Sequence, residues 1–185
     1  MAEDFVKDMY NKFTDLPTLS YNCIAYLIEN NEIIWHLLKY NDRDCWKTDA
    51  THPDLTKAEK GALIYAGQSD DTNYRIFQDV GYDSAWNQQC CFLRITPIEL
   101  FPTNHIIGKV TIGFEIYAHY KINTLSNYQT RFNMMSQQII ETFNGAEILG
   151  MGRLFFDART SSRCKMQIIG SIPYKGNAVF MTNYI

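Results

Sequence analysis

The chain has 185 residues and a formal net charge of −3, with 46% apolar and 20% charged residues. These values are typical of one globular domain, and the acidic balance argues against sequence-specific DNA binding. No apolar run approaches the roughly 18–20 residues that cross a bilayer, and the charged N-terminus lacks the apolar core of a secretion signal. Five cysteines, two of them adjacent, indicate reduced intracellular thiols rather than a disulfide scaffold. The 14% aromatic share predicts a large core with further aromatics at protein–protein contacts.

Residues 1–67 have the pattern of an N-terminal helical segment. Apolar residues recur at helical spacing in three stripes, which are Phe5, Met9 and Phe13; Ile24, Leu27 and Ile28; and Ile34, Leu37 and Leu38. Thr18 or Ser20 is predicted to cap the second helix, and Asn30-Asn31 to separate it from the third.

A polar loop is predicted over residues 41–53, with Trp46 as its only large apolar anchor. A short helix follows, because Thr56 with Glu59 three residues later is the signature of a capping box. Gly67 is predicted to end that helix.

Residues 68–89 form a long polar excursion studded with aromatic residues. One short strand is predicted within it, at residues 74–77. Long excursions of this kind often carry interaction surfaces, and aromatic anchors in a polar rim are typical of binding hot spots. The candidate contact residues are Tyr74, Phe77, Tyr82 and Trp86.

Residues 90–185 are predicted to form an α+β core. Strand periodicity begins after residue 89 and is clearest over residues 109–120, where apolar and polar residues alternate. The predicted core face carries Val110, Ile112, Phe114, Ile116, Ala118 and Tyr120, and the predicted polar face carries Lys109, Thr111, Glu115 and His119. Pro97 and Pro102 are predicted to bracket the loop between the first two strands.

An amphipathic helix follows, with Ser126 and Gln129 as a second capping box. Its predicted core stripe is Tyr128, Phe132, Met135, Ile139 and Phe143, so of the adjacent pair Met134 and Met135 one lies on the core face. Asn144-Gly145 ends this helix. Three more strands are predicted over residues 152–159, 164–171 and 177–185, with turns at Ser161-Ser162 and at Pro173 with Gly176.

The predicted fold class is therefore α+β: an antiparallel β-sheet packed by a central amphipathic helix, with an N-terminal helical segment.

Residues that carry chemistry do not form a recognisable constellation in the sequence. The four histidines, His36, His52, His105 and His119, are scattered without metal-ligand spacing, and His119 is predicted at the surface. Cys90 and Cys91 point to opposite faces of a strand, which predicts one core thiol and one exposed thiol. Asp71 and Asn73 have calcium-like alternation, but Tyr74 stands where an EF-hand loop needs glycine. We expect no bound zinc, calcium or nucleotide and no catalytic, cofactor-binding or metal residues.

The region from residue 106 to the C-terminus combines a strand ending in "AHY", the string "TLSNYQTR", a helix, the string "NGAEILGMGRLFF" and a β-meander. This layout resembles the neck proteins of tailed bacteriophages, in particular the tail-terminator or head–tail connector class.

The resemblance implies a structural virion protein and not an enzyme. Its subunits would form a homo-oligomeric ring, hexameric by preference and dodecameric as the alternative, and would join other phage neck, portal and tail proteins. DNA would pass transiently through the pore without specific binding, and no membrane would be involved. The protein would be found in the virion neck, and in the host cytoplasm during assembly. The competing interpretation is a soluble α+β enzyme or ligand-binding domain with an unrecognised pocket.

Overall fold

The structure is a computed structural model that describes residues 16–67, 73–78, 89–102, 108–148, 152–157, 165–169 and 172–184. Its helices are α1 Leu16–Asn30, α2 Ile33–Lys39, α3 Lys57–Ala62 and α4 Arg131–Phe143, with a 3-10 turn at Tyr120–Ile122. Its strands are β1 Ile76–Phe77, β2 Cys91–Pro102, β3 Gly108–His119, β4 Glu147–Ile148, β5 Gly152–Arg153, β6 Phe155–Phe156, β7 Lys165–Ile169 and β8 Ile172–Tyr184. The α+β prediction is confirmed.

The main sheet has the strand order β1-β2-β3-β8-β6, and β7 also pairs with β8. The two-residue strand β1 is parallel to β2, and the other pairs in this sheet are antiparallel. The remaining strands β4 and β5 form a separate two-stranded sheet. The long strands β2, β3 and β8 are central, because each supplies backbone partners over most of its length.

The prolines and Gly176 do not mark the predicted turns. Pro97 lies inside β2, where the register with β3 shifts between Pro97 and Glu99, and Pro102 is the last residue of that strand. Pro173 and Gly176 lie inside β8 and pair with Ile168 and with residues 117 and 165, respectively. A proline lacks the backbone N–H of a ladder hydrogen bond, so it is tolerated at a bulge or near a strand end. The predicted turn at residues 161–162 lies outside the described residues.

Helix α1 begins at Leu16, so Thr18 and Ser20 lie inside it and do not cap it. The break at Asn30-Asn31 is confirmed, and Asn31 has a structural role there. Its Oδ1 accepts a hydrogen bond from the backbone N–H of Ile34 at 2.8 Å, and its Nδ2 donates to Gln138 and Thr142 on α4. The predicted helix through Phe5, Met9 and Phe13 lies outside the described residues.

Two helix boundaries differ from the prediction and two agree. The Thr56–Glu59 capping box is present, but α3 ends at Ala62, and Gly67 lies beyond it with a φ of +88°. The N-cap of α4 is Thr130 rather than Ser126. Its C-cap is Asn144, followed by Gly145 at a φ of +82°, as the sequence predicts.

Helix α4 covers one face of the sheet with its apolar stripe. Phe132, Met135, Ile139 and Phe143 are buried, and the Phe143 ring centroid lies 4.7 Å from that of Phe114 on β3. The predicted core face of β3 is buried in the same cluster, and so are residues of α1 and α2 such as Leu27 and Trp35. The division of the chain at residues 67 and 89 stays a prediction.

Two aromatic residues that were predicted to be buried, one in the core face of β3 and one in the core stripe of α4, are exposed. Tyr120 is exposed because the strand ends at His119 and the chain enters the 3-10 turn. Tyr128 precedes α4 and is also exposed. Across the described ranges, no helix is both long enough and apolar enough to span a membrane.

Candidate functional site

A fully buried arginine joins three parts of the chain at the N-terminus of α4. The guanidinium of Arg131 donates hydrogen bonds to four backbone carbonyls: from Nη1 to Leu37 at 2.6 Å and Tyr40 at 2.7 Å, from Nη2 to Asp42 at 2.9 Å, and from Nε to Ile122 at 3.1 Å. Leu37 belongs to the last turn of α2, where the helix dipole is negative and a cation is favourable. Arg131 therefore caps the C-terminal end of α2, although the two lie far apart in the sequence. It also anchors the loop that begins at Asn41.

A buried histidine closes that loop. His52 Nε2 lies 2.9 Å from Asp42 Oδ2, and its Nδ1 lies 3.2 Å from Asp49 Oδ1. Burial lowers the pKa of His52, but the hydrogen bonds and negative charges of the two aspartates outweigh it, so the pKa of His52 is raised above its ordinary value. The ring also packs edge-on against Tyr40, with centroids 4.9 Å apart. Because both ring nitrogens lie next to carboxylates, this imidazole links the two ends of the loop and is not available as a general base.

The loop also contacts the turn that precedes α4. Ser126 Oγ donates to Asp44 Oδ1 at 2.6 Å, Trp46 Nε1 donates to Ser126 Oγ at 3.1 Å, and the Ser126 backbone N–H donates to the Arg43 carbonyl. Trp46 is the anchor that the sequence predicts for this loop. The hydroxyl of Ser126 is thus held by a carboxylate and an indole, as a structural link between two loops.

A second cluster contains the one group of three residues, within the described chain, whose ligand atoms lie close enough to share a cation: Glu32, His36 and Asp54. His36 is fully buried, and its Nε2 lies 3.7 Å from Glu32 Oε1 and 3.9 Å from Asp54 Oδ1. Nε2 is closer to the Pro53 carbonyl, at 3.1 Å, which fits an Nε2–H donor and leaves Nδ1 as a buried lone pair.

A cation would compete with contacts that these groups already make. Glu32 accepts a hydrogen bond from the backbone N–H of Leu55 at 2.6 Å and pairs with the buried ammonium of Lys60 at 2.6 Å. A metal on Nε2 of His36 would move the ring proton to Nδ1, where the structure offers no acceptor. The cluster fits a structural tie between α2 and the segment leading into α3 better than a metal centre. The expected absence of bound zinc stays a prediction.

The remaining chemically active residues are more buried than predicted. His119 is only 4% exposed, its Nδ1 accepts a hydrogen bond from the Lys121 backbone N–H at 3.2 Å, and burial together with the charge of Lys121 lowers its pKa. Cys90 and Cys91 do occupy different clusters, but both are buried, so the predicted exposed thiol is wrong. Burial raises the pKa of Cys90 to about 11 and that of Cys91 to about 12, which makes both thiols poor nucleophiles.

The candidate contact residues are only partly covered by the described ranges. Phe77 is 4% exposed and packs with Phe92 and Tyr65, with ring centroids 6.2 and 5.7 Å away. Tyr74 is half-buried against Tyr65. Both rings therefore already pack within the chain. Tyr82 and Trp86 lie outside the described residues, and a subunit contact at this cluster stays a prediction.

The model of the YomW family matches residues 31–170, which is more than half of the chain. The chain belongs to the YomW family. That family is named after a Bacillus phage or prophage-type gene product, so the protein is phage-associated. No curated protein and no solved structure matches the chain.

The YomW-family match runs from Asn31 through α4 to β7. It therefore includes the contacts of Arg131, His52 and Ser126 described above, which together form a polar junction between the loop after α2 and the start of α4. Sequence reasoning missed this junction. Arg131 lies up to 94 positions from its carbonyl partners and His52 lies 10 positions from Asp42, so local spacing relates only His52 and Asp49, which are three residues apart. An arginine at the first position of α4 was a further local signal, but it is ambiguous without its partners.

Proposed function

We propose that this phage-associated chain is a structural virion protein that forms an oligomeric ring at the head–tail junction, as a tail-terminator or connector subunit. The observation that carries the proposal is membership of a phage-associated family, together with the layout from residue 106 onward. The fold is compatible with this role, because a sheet packed by helices forms a rigid body whose outer surface can contact neighbouring subunits.

The chemistry of the polar residues supports a structural role. In the described ranges, Arg131, His52 and Ser126 all bind groups of the chain itself. These interactions hold the loop at residues 41–54 against α4 and form no nucleophile–base pair. Among the described residues, the group that could hold a metal ion is the Glu32–His36–Asp54 cluster, and its atoms are engaged in internal contacts.

Electron microscopy of virions tests the proposal most directly. The proposal predicts density for this chain confined to a ring between portal and tail. In solution, the chain alone or mixed with neck and portal proteins should run well above its 21.5 kDa chain mass. Particles that lack the protein, or carry it outside the neck, would refute the proposed role. Stoichiometric binding of a metal or small ligand that fails in a Glu32→Gln variant would favour the competing function.

A further inference from the structure

Helix α4 ends at the sole Asn-Gly pair of the sequence, Asn144-Gly145. An asparagine followed by glycine is especially prone to deamidation, because glycine has no Cβ to hinder its backbone nitrogen as that atom approaches the asparagine side chain. Both residues are exposed, so water reaches the amide. The pair therefore has the chemical requirements of a spontaneous modification site.

Both reacting groups of this pair are bound by the segment that contains β6. The Asn144 Oδ1 accepts a hydrogen bond from the Phe156 N–H at 3.0 Å. The Gly145 N–H, which must lose its proton before the nitrogen can react, donates to the Leu154 carbonyl at 2.8 Å. Leu154 is fully buried, so this carbonyl is anchored in the core. The electrophile and the nucleophile are thus held by two different positions of one segment.

Further backbone hydrogen bonds fix the same corner of the molecule. The Leu154 N–H donates to the Ala146 carbonyl at 2.9 Å, and the Ala146 N–H donates to the Phe143 carbonyl at 3.0 Å. On its other side, β6 pairs with β8. The side chain of Asn144 can therefore reach the nitrogen of Gly145 only after the β6 segment has moved away from the end of α4.

We propose that Asn144-Gly145 is a deamidation site that the β6 segment protects in the folded chain and that reacts when this segment detaches. The deprotonated backbone nitrogen of Gly145 bonds to Cγ of Asn144, the bond from Cγ to Nδ2 breaks, and ammonia leaves with a proton taken from water. Water then opens the succinimide ring at either carbonyl and gives aspartate or isoaspartate at position 144. One water is consumed and one ammonia released for each chain, without oxidation or reduction. This inference does not depend on the ring proposed above.

The modified chain cannot restore the original corner. Both products place a negative charge beside the last carbonyls of α4, where the helix dipole disfavours an anion, and Glu141 lies one turn earlier with a like charge. Isoaspartate also inserts a methylene group into the main chain ahead of Gly145, which displaces its N–H from the Leu154 carbonyl. Deamidation is therefore a permanent mark of chains in which this corner has opened.

Ageing of the full wild-type chain, folded or in guanidinium chloride at the same pH and temperature, tests the protection. Proteolytic fragments are analysed by mass spectrometry. Deamidation of Asn144 should be about 30-fold slower in the folded chain, because two hydrogen bonds must break and each changes an equilibrium about fivefold. Asn133, exposed on α4 and followed by Met134, is the internal control and should lag far behind Asn144 in denaturant. Gly145→Ala, which a φ of +82° would strain in the folded chain, is compared in denaturant and should slow the reaction.

Phe156→Pro tests the contact to Asn144 itself. Proline removes the N–H that binds Asn144 Oδ1 and is tolerated on an edge strand, which β6 is within the described sheet. This variant should deamidate about fivefold faster than the wild type while folded. Phe156→Leu keeps the N–H and is the matched control, with the wild-type rate expected.

Three results would each overturn the inference: equal rates in the folded and denatured wild type, an unreactive Asn144 in denaturant, or a folded Phe156→Pro chain that ages at the wild-type rate. If Phe156→Pro does not fold, the comparison of folded and denatured wild type decides by itself. None of these results bears on the proposed ring, which the virion micrographs test separately.

Discussion

Replacing Arg131 by methionine should destabilise the fold by about 3 kcal/mol, a large part of the roughly 5–15 kcal/mol that stabilises a typical domain. Methionine preserves most of the side-chain volume and removes the donors. The four carbonyls bonded to the guanidinium would lose their partner. One hydrogen bond to a charged group contributes about 1.5–3 kcal/mol net.

The four contributions do not add, because one guanidinium makes all of them and its burial is itself costly. The loop at residues 41–54 also has exposed positions through which water can reach some of the freed carbonyls. A net loss equal to one or two charged hydrogen bonds is therefore expected, about 3 kcal/mol. Arg131→Lys should recover only part of it, since an ammonium lacks the planar fork that reaches carbonyls on both sides.

Urea unfolding followed by circular dichroism measures this loss, and hydrogen exchange locates it. Exchange should accelerate first at the amides of residues 42–54 and at the end of α2, since these segments lose their anchor. Arg153→Met is the control, because Arg153 is exposed and its replacement should change stability by less than about 0.5 kcal/mol. A loss under about 1 kcal/mol for Arg131→Met, or unchanged exchange in the loop, would show that Arg131 does not hold this junction.

Three further predictions concern the fold. Because the pKa of His52 is raised in the folded state, its charged form stabilises the protein at mildly acidic pH, and this contribution is lost as pH rises through the folded-state pKa. The difference in urea midpoint between the wild type and His52→Gln should therefore shrink towards alkaline pH. A pH-independent difference would contradict the interaction of His52 with Asp42 and Asp49. Phe143→Ala should cost about 3–5 kcal/mol in the same assay because the ring is fully buried against Phe114, and a loss under about 1 kcal/mol would be inconsistent with a core position. Thr56→Ala should cost about 1 kcal/mol by breaking the capping box, whereas a neutral result would mean that α3 forms without it.

The periodicity of apolar residues was sufficient to predict burial where an element packs with one face against the core. The stripe of α4 from Phe132 to Phe143 and the alternation of β3 from Val110 to Ala118 are buried as predicted. Both patterns repeat at the period of their element, so each turn or pleat places an apolar residue towards the same partner. The capping box at Thr56 and the C-terminal stop at Asn144 were also predictable, since cap and helix are adjacent in the chain.

Two polar residues were placed wrongly by local patterns. His119 occupies the predicted polar face of β3 and is nevertheless buried, and its Nδ1 accepts a hydrogen bond from the Lys121 backbone N–H in the 3-10 turn. Ser126 has the spacing of a helix cap but binds Asp44, 82 residues away. A helix-capping pattern assigns the Ser126 hydroxyl to the nearest backbone N–H groups, whereas the folded chain offers it a stronger partner from another segment, the Asp44 carboxylate.

The sequence by itself determined the fold class, the central helix and its core stripe, because these depend on the order of apolar residues along one element. Only the tertiary structure decided what Arg131 and His52 do. Arg131 binds carbonyls of α2, the loop after it and the 3-10 turn, and His52 closes that loop between two aspartates. A buried charge needs partners from every side, and those partners come together only when distant segments have packed.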